Sequence, residues 1–106
     1  MRSKYSNQRT NGYASKKEAQ RYAELKLLVK AKKITNLQLQ PDFLLQLSYT
    51  DYAGRKHNAI HYFADFMYTK DGQTIVEDVK GMQTPVYKLK KKLLLFKYTQ
   101  IIFNEL

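Results

Sequence analysis

Residues 15–33 show the hydrophobic periodicity of an amphipathic helix. The apolar stripe at helical spacing consists of Tyr22, Leu25 and Val29. The same stretch is rich in Ala, Leu, Glu, Lys and Arg, which favour helices. Ser15 followed by Glu18 three residues later fits a capping box, in which two side chains bond the free N–H groups of the first turn. The sequence therefore predicts a first helix from near Ser15 to Lys33.

Alternation with a period of two predicts strands in the middle of the chain. Residues 43–50 alternate cleanly, and residues 59–68 form a nearly continuous apolar run. Residues 70–73 carry the Asp-Gly signal of a tight hairpin, and a third strand over 74–80 follows it. Residues 34–40 lack such a pattern, so we expect a connector there.

A second helix is predicted where Thr84 precedes Pro85, because threonine favours the N-cap and proline the first helical position. The apolar stripe expected to be buried comprises Val86, Leu89, Leu93 and Phe96. Lysines occupy the other faces, and a short strand over 99–103 follows. The order helix, three strands, helix, strand predicts an α/β fold with a mixed central sheet flanked by helices.

Composition narrows the class of protein. The chain has 106 residues, and 19 Lys and Arg against nine Asp and Glu give a net charge of +10. A 43% hydrophobic content excludes a disordered basic tail. The absence of cysteine excludes disulfides, thiolate metal sites and cysteine nucleophiles. No apolar run suits a membrane helix or a signal peptide, so we expect a cytoplasmic protein whose partner is a polyanion, most often nucleic acid.

The first residues differ from the rest of the chain. Residues 1–13 are polar, lack periodicity and carry Arg2, Lys4 and Arg9. We expect a flexible basic N-terminal arm here, with a disordered terminus as the alternative, followed by a single domain over residues 14–106.

The few acidic residues are the most informative. Asp65 interrupts an apolar strand, where an unpaired carboxylate is costly, so it needs a partner or lies at a wet strand end. Asp78 and Lys80 are two apart and share one face of their strand, whereas Glu77 points to the other face. Neighbouring carboxylates repel unless a cation joins them, and oxygen ligands suit Mg²⁺. The same residues also fit a structural ion pair.

These residues resemble the signature of the PD-(D/E)XK nuclease superfamily, and the chain looks like a small phage and prophage family of Holliday-junction-resolvase-like endonucleases within it. The shared stretches are 15–19, Gln40, 64–66 and 77–81. The resemblance covers about residues 14–103 and implies a restriction-endonuclease-like core of order α-β-β-β-α-β. Ala64 replaces the proline of the motif, and Glu77 adds a second acid beside Asp78.

The resemblance implies roles for four residues. Asp65 and Asp78 would bind Mg²⁺ or Mn²⁺, and Lys80 would assist the attacking water. Glu18 is the candidate for a third metal ligand from the first helix, and a capping role is its alternative. Gln40 either satisfies backbone groups or contacts the edge of the site. For His61, packing or cross-strand pairing is favoured over ligation.

The resemblance implies a Mg²⁺-dependent DNA endonuclease that acts in phage or prophage DNA processing inside a bacterial host and leaves a 5′-phosphate. By analogy, the expected substrate is branched DNA such as a four-way junction, and symmetric cutting calls for a homodimer. The residues expected to contact DNA are Lys88, Lys90, Lys91, Lys92, Thr84, Arg2, Lys4 and Arg9. Two alternatives remain open: a non-catalytic nucleic-acid-binding module, and a small subunit that docks an acidic protein.

Overall fold

The computed structural model describes residues 13–79 and 83–106, with side chains from Lys16 onward. Helix α1 spans Tyr13–Lys30 and helix α2 spans Pro85–Lys97. Because α1 begins two residues before Ser15, the predicted capping box is wrong, and Glu18 lies within the helix. Apart from Tyr13, which starts α1, the predicted N-terminal arm lies outside the described residues, and so does Lys80.

A mixed four-stranded sheet forms the centre of the described chain. The described residues contain eight strands, four of which form this sheet. They are β1 (Thr35–Leu39), β2 (Asp42–Gln46), β3 (Tyr49–Thr50), β4 (Lys56–His57), β5 (Ile60–Phe63), β6 (Phe66–Lys70), β7 (Gln73–Asp78) and β8 (Ile101–Glu105). The sheet has the order β1-β6-β7-β8, in which only the β7–β8 pair is parallel. The predicted α/β class with a mixed sheet is therefore confirmed.

Each helix covers one face of this sheet, because apolar residues alternate along β6 and β7. The cluster under α1 contains Leu25, Ile34, Phe66, Tyr68, Ile75 and Val79. The cluster under α2 contains Phe43, Tyr62, Ala64, Val76, Tyr87 and Leu94. Neighbouring residues of one strand thus belong to different layers, so adjacent acids at a strand end also point to different layers.

Strands β2 to β5 form a separate antiparallel ribbon, which we call the ribbon (residues 42–63). Strand β2 pairs with β5, and β3 pairs with β4 after a register shift between Leu44 and Gln46. The predicted strand over 43–50 is therefore interrupted. The predicted strand over 59–68 is wrong as a single element, because Ala64 and Asp65 separate β5 in the ribbon from β6 in the sheet.

The predicted connector over 34–40 is wrong, because it contains strand β1. This edge strand pairs with β6 through an irregular register, and four of its five residues are exposed. Asn36 has a positive φ of 55°, which breaks regular strand geometry. An exposed, bent edge strand needs no apolar alternation, so hydrophobic periodicity cannot reveal it.

Helix α2 begins as predicted but buries a different face. The Thr84 side chain accepts a hydrogen bond from the Tyr87 N–H, and Pro85 is the first helical residue. The residues facing the sheet are Tyr87 and Leu94. The predicted stripe is exposed instead, at Val86 (62%), Leu89 (58%), Leu93 (40%) and Phe96 (83%). The prediction of a buried stripe is wrong because the face carrying Tyr87 and Leu94 packs against the sheet.

The hairpin between β6 and β7 confirms the Asp-Gly prediction. Lys70 pairs with Gln73, and the two residues between them have positive φ angles of 52° at Asp71 and 76° at Gly72. Two positive φ angles define the turn type whose twist matches paired strands. Among the described residues, no helix is both long enough and apolar enough to cross a membrane.

Candidate active site

Asp65 is fully buried at the junction where the chain leaves the ribbon and enters the central sheet. Its backbone is fixed on both sides, because its carbonyl accepts the Gln40 N–H at 2.9 Å and its N–H bonds the Glu77 carbonyl at 3.1 Å. Its carboxylate Oδ2 accepts the Val79 N–H at 2.6 Å. Asp65 is therefore held against the peptide that follows Asp78.

Asp78 is the last residue of β7 and is also fully buried. The Tyr62 hydroxyl, from the base of the ribbon, donates a hydrogen bond to its carboxylate Oδ2. Burial, reinforced by the negative charge of Asp78, raises the pKa of Tyr62 far above its usual range, so this hydroxyl stays a donor. Asp65 and Asp78 thus lie at adjoining ends of β6 and β7, and their role as metal ligands stays a prediction.

Glu77 points to the opposite face and makes a structural ion pair. Arg21 of α1 donates to both carboxylate oxygens, at 2.8 Å from Nε and 2.6 Å from Nη2. The Tyr68 hydroxyl donates to the same carboxylate, and burial together with this bond raises the pKa of Tyr68 to about 12. The bonds to Glu77 also raise the pKa of Arg21. Glu77 is therefore fully engaged in joining α1 to the sheet.

Glu18 is buried on the inward side of α1, at 1% exposure. This helix covers the sheet face that carries Glu77, whereas Asp78 bonds Tyr62 on the other face. Within residues 13–79 and 83–106, no three His, Cys, Asp or Glu side chains converge closely enough to hold a metal ion. The arrangement therefore fits a site based on the two aspartates, and the role of Glu18 as a third ligand remains a prediction.

Gln40 lies directly beside Asp65. Its backbone has a positive φ of 50°, an unfavourable conformation for a residue with a side chain. In the described part of the chain, its buried side-chain Nε2 has no hydrogen-bond partner. The main-chain N–H of Gln40 thus bonds the Asp65 carbonyl, whereas both roles expected for its side-chain amide, satisfying backbone groups or contacting the edge of the site, remain predictions.

His61 belongs to the ribbon and not to the site. Its Nδ1 lies 2.7 Å from Oδ1 of Asp42 on the neighbouring strand, and its ring stacks on Phe63 at 5.8 Å. This confirms the favoured interpretation, cross-strand pairing and packing.

The predicted DNA-contacting lysines of α2 differ in their surroundings. Lys88 and Lys92 are exposed, whereas Lys90 and Lys91 are half-buried. The Lys91 ammonium lies 3.1 Å from Glu105, which also accepts a hydrogen bond from the Tyr87 hydroxyl. The Tyr87 bond, followed by Lys91, lowers the pKa of Glu105. Lys91 therefore joins α2 to β8.

Of the remaining predicted DNA contacts, one lies at the start of α2 and three lie outside the described residues. Thr84 caps α2 with its side chain. Arg2, Lys4 and Arg9 lie outside the described residues, as does the predicted catalytic Lys80.

Sequence reasoning missed Arg21, Tyr62 and Tyr68, which determine how the acids are used. Arg21 lies three residues after Glu18 and four before the buried Leu25, hence toward the inward side of α1, and this spacing was a usable signal. The tyrosines gave no separate signal, because aromatic residues in apolar strands are ordinarily core. A cleft beside the site, between α1 and the end of β7, is lined by Lys17, Gln20, Arg21, Glu24, Val79 and Leu106.

Comparison with known proteins places the chain in one family. No curated protein matches the chain, and no solved structure matches it. Residues 2–104 match the family model described as "Protein of unknown function (DUF1064)", and the chain therefore belongs to that family.

Proposed function

We propose that this chain is a Mg²⁺-dependent DNA endonuclease of the PD-(D/E)XK type. The path of the chain through the central sheet supports the proposal. Without the ribbon, the order is α1, β1, β6, β7, α2, β8, which is the α-β-β-β-α-β order of that superfamily core. The ribbon is then an insertion between the first and second core strands.

The observation that carries the proposal is the burial of Asp65 and Asp78 at adjoining ends of β6 and β7. The Val79 N–H holds the Asp65 carboxylate next to Asp78. Two carboxylates kept together out of water favour a bound cation, and an all-oxygen pair suits Mg²⁺, which needs only one or two carboxylates from the protein. Both acids are buried at the same end of the two central strands of the sheet, β6 and β7.

In the proposed mechanism, Asp65 and Asp78 would hold Mg²⁺, and Glu18, which is buried on the α1 side of the sheet with Glu77, stays a predicted third ligand. Bound Mg²⁺ supplies Lewis-acid activation of the scissile phosphate and of the attacking water. Lys80 would orient the attacking water or accept a proton from it. The Tyr62 hydroxyl fixes the Asp78 carboxylate, and Val79 N–H fixes that of Asp65, so both ligands are positioned before substrate arrives.

The proposed substrate is branched DNA such as a four-way junction, cut during phage or prophage DNA processing. Exposed Lys88 and Lys92, with Lys90, Thr84 and the N-terminal basic residues, would contact the phosphate backbone, which carries no sequence information. Selection by DNA shape is consistent with such contacts. Lys91 contributes less, because Glu105 engages its charge.

A homodimer would supply the two active sites that symmetric cutting of a junction needs. The exposed apolar stripe of α2 is the surface we propose for it, since contiguous exposed apolar side chains on one helix face are typical of interaction sites. A two-fold contact sets the same stripe against itself. Because lysines flank the stripe, dimers should increase with salt, and Leu89→Asp should yield folded monomers in light scattering. A monomeric wild type at high salt would contradict this proposal.

The alternative is a non-catalytic nucleic-acid-binding module on the same fold. One observation favours it: Lys88 and Lys92 are exposed, and such basic residues bind the phosphate backbone without any metal. The two functions differ in one measurement, because the module binds DNA without cutting it in any divalent metal.

The deciding experiment is a cleavage panel on labelled plasmid, single-strand, flap and four-way-junction DNA, with and without Mg²⁺. We expect Asp65→Asn, Asp78→Asn and Lys80→Ala to abolish cutting while DNA binding persists. Wild-type cutting by all three variants would reject the site, and binding without any cutting by the wild type would favour the module.

A further inference from the structure

The tip of the ribbon, residues 49–57, has a surface that the proposed active site does not use. Strands β3 and β4 pack mainly against each other, whereas β2 and β5 at the base pack on α2. Tyr52 at the turn is fully exposed, and Arg55 and Lys56 beside it are exposed too. Such a tip contributes little to the core, so its defined structure must come from contacts within the tip itself.

The tip is rigid by its own contacts. The Asp51 carbonyl accepts the Gly54 N–H at 2.9 Å, and the Asp51 N–H donates to the Arg55 carbonyl at 2.8 Å. Gly54 has a positive φ of 89°, as the last residue of a three-residue hairpin loop requires. The rings of Tyr49 and His57 stack at 4.7 Å. This turn therefore presents Tyr52 in a defined place.

The only acid of the tip is occupied inside the hairpin. Asp51 accepts the Arg55 N–H at 2.9 Å, and its other oxygen lies 2.8 Å from His57 Nε2. The charges that point outward are those of Arg55 and Lys56, next to an exposed aromatic ring. Exposed basic groups beside an aromatic side chain suit phosphate contact and base stacking.

The base of the ribbon lies at the active site. Ala64 N–H bonds the Pro41 carbonyl at 3.3 Å, and Asp65 follows immediately. From Ala64 to Ala53, eleven residues at roughly 3.3 Å each set an upper limit of roughly 36 Å on the reach of the ribbon. One turn of B-DNA has about the same length, roughly 34–36 Å.

We propose that the ribbon tip, through Tyr52, Arg55 and Lys56, is a second nucleic-acid contact that binds the duplex up to about one helical turn from the scissile phosphate at the site of Asp65 and Asp78. This inference rests on the proposed function for its ligand class. The inference sets a minimum length for the DNA: a duplex arm must extend about ten base pairs from the active site to reach the tip.

The test measures binding to labelled junctions and duplexes with arms of about 6, 10, 14 and 18 base pairs, without divalent metal so that cutting cannot interfere. The tip variant is Arg55→Ala with Lys56→Ala, and the matched control is Lys30→Ala with Lys33→Ala at the end of α1. Both pairs are exposed and remove two charges. Tyr52→Ala tests the ring separately.

We expect wild type to gain affinity as arms pass about ten base pairs, and the tip variant to lose that gain by about tenfold or more while matching wild type on the shortest arms. The control should lose a small, length-independent amount. Equal losses by tip variant and control at every length would overturn the inference and leave the nuclease proposal intact. Tip-dependent binding without Mg²⁺-dependent cutting would leave the inference standing and reject the nuclease. A wild type that binds no DNA rejects both.

Discussion

Two adjacent acids, Glu77 and Asp78, should respond in opposite ways to the loss of their charge. Glu77→Gln removes the carboxylate that Arg21 grips with two hydrogen bonds, whereas Asp78→Asn removes the charge proposed to hold Mg²⁺. We expect the first change to lower stability with little effect on cutting by the folded protein. The second should abolish cutting with little effect on stability.

The magnitude for Glu77 follows from its burial. Removing one partner of a buried ion pair costs about 3–5 kcal/mol, because the other charge stays behind unpaired. The Arg21 side chain is 26% exposed and recovers some hydration, so the lower value, about 3 kcal/mol, applies. For a domain of this size, that corresponds to a fall in Tm of roughly 12–24 °C. Asp78→Asn keeps an oxygen that accepts the Tyr62 hydroxyl, so the cost there is about 1 kcal/mol or less.

The assay combines urea unfolding, followed by circular dichroism, with junction cleavage in Mg²⁺. Rates are compared per folded molecule at a temperature below the Tm of the weakest variant. Arg21→Met is the matched partner of Glu77→Gln, since it breaks the same ion pair from the other side. Folded but inactive Glu77→Gln together with active Asp78→Asn would refute the assignment and exchange the roles of the two acids.

Three further predictions concern stability. Because the pKa of Tyr68 is raised to about 12, its contribution to stability is complete below pH of about 10 and is lost as pH rises toward 12. Tyr68→Phe should therefore reduce the loss of resistance to urea at alkaline pH. Tyr62 keeps part of that loss in the variant, since its pKa is raised as well. The lowered pKa of Glu105 gives stability that is present above pH of about 4.3 and lost below it, and Glu105→Gln should remove this acid dependence in pH-resolved unfolding curves. Gly72→Ala should cost about 1 kcal/mol in urea unfolding from its positive φ alone, as no atom obstructs a Cβ there; an unchanged midpoint would contradict this.

Local chemistry predicted the parts of the fold that depend on one or two residues. Asp71-Gly72 specified its turn, and Thr84 specified the start of α2, because backbone conformation and capping are decided within a few residues. The anomaly of Asp65 in an apolar run was informative for the same reason. The sequence could not show that this aspartate lies between two separate strands, because both of its neighbours are apolar.

The errors arose where tertiary packing overrides periodicity. Helix α2 has two apolar faces, and only the packed fold shows that the face with Tyr87 and Leu94 meets the sheet. The partition of the acids was predicted by strand alternation, which separated Asp78 from Glu77. The partners Arg21 and Tyr62 are distant in sequence, so alternation alone could not supply them.

Removing the Tyr62 hydroxyl tests whether Asp78 is a positioned metal ligand or only a buried acid. It comes from the ribbon and donates to Asp78, whereas the Tyr68 hydroxyl donates to Glu77 on the other face. Loss of a donor that orients a ligating carboxylate typically lowers metal affinity or activity by roughly 10- to 100-fold. Tyr62→Phe and Tyr68→Phe each remove one buried oxygen of this kind, so they form a matched pair.

We expect Tyr62→Phe to raise the Mg²⁺ concentration needed for half-maximal cutting by about tenfold or more, while Tyr68→Phe leaves it unchanged. Both variants should lose about 1–2 kcal/mol of stability, so stability alone cannot explain a difference in metal dependence. Magnesium titrations of junction cleavage provide the comparison. If both variants follow the wild-type titration, the Tyr62 bond is only structural. If Tyr68→Phe alone shifts it, the metal lies with Glu77 on the α1 side of the sheet, where Glu18 is also buried.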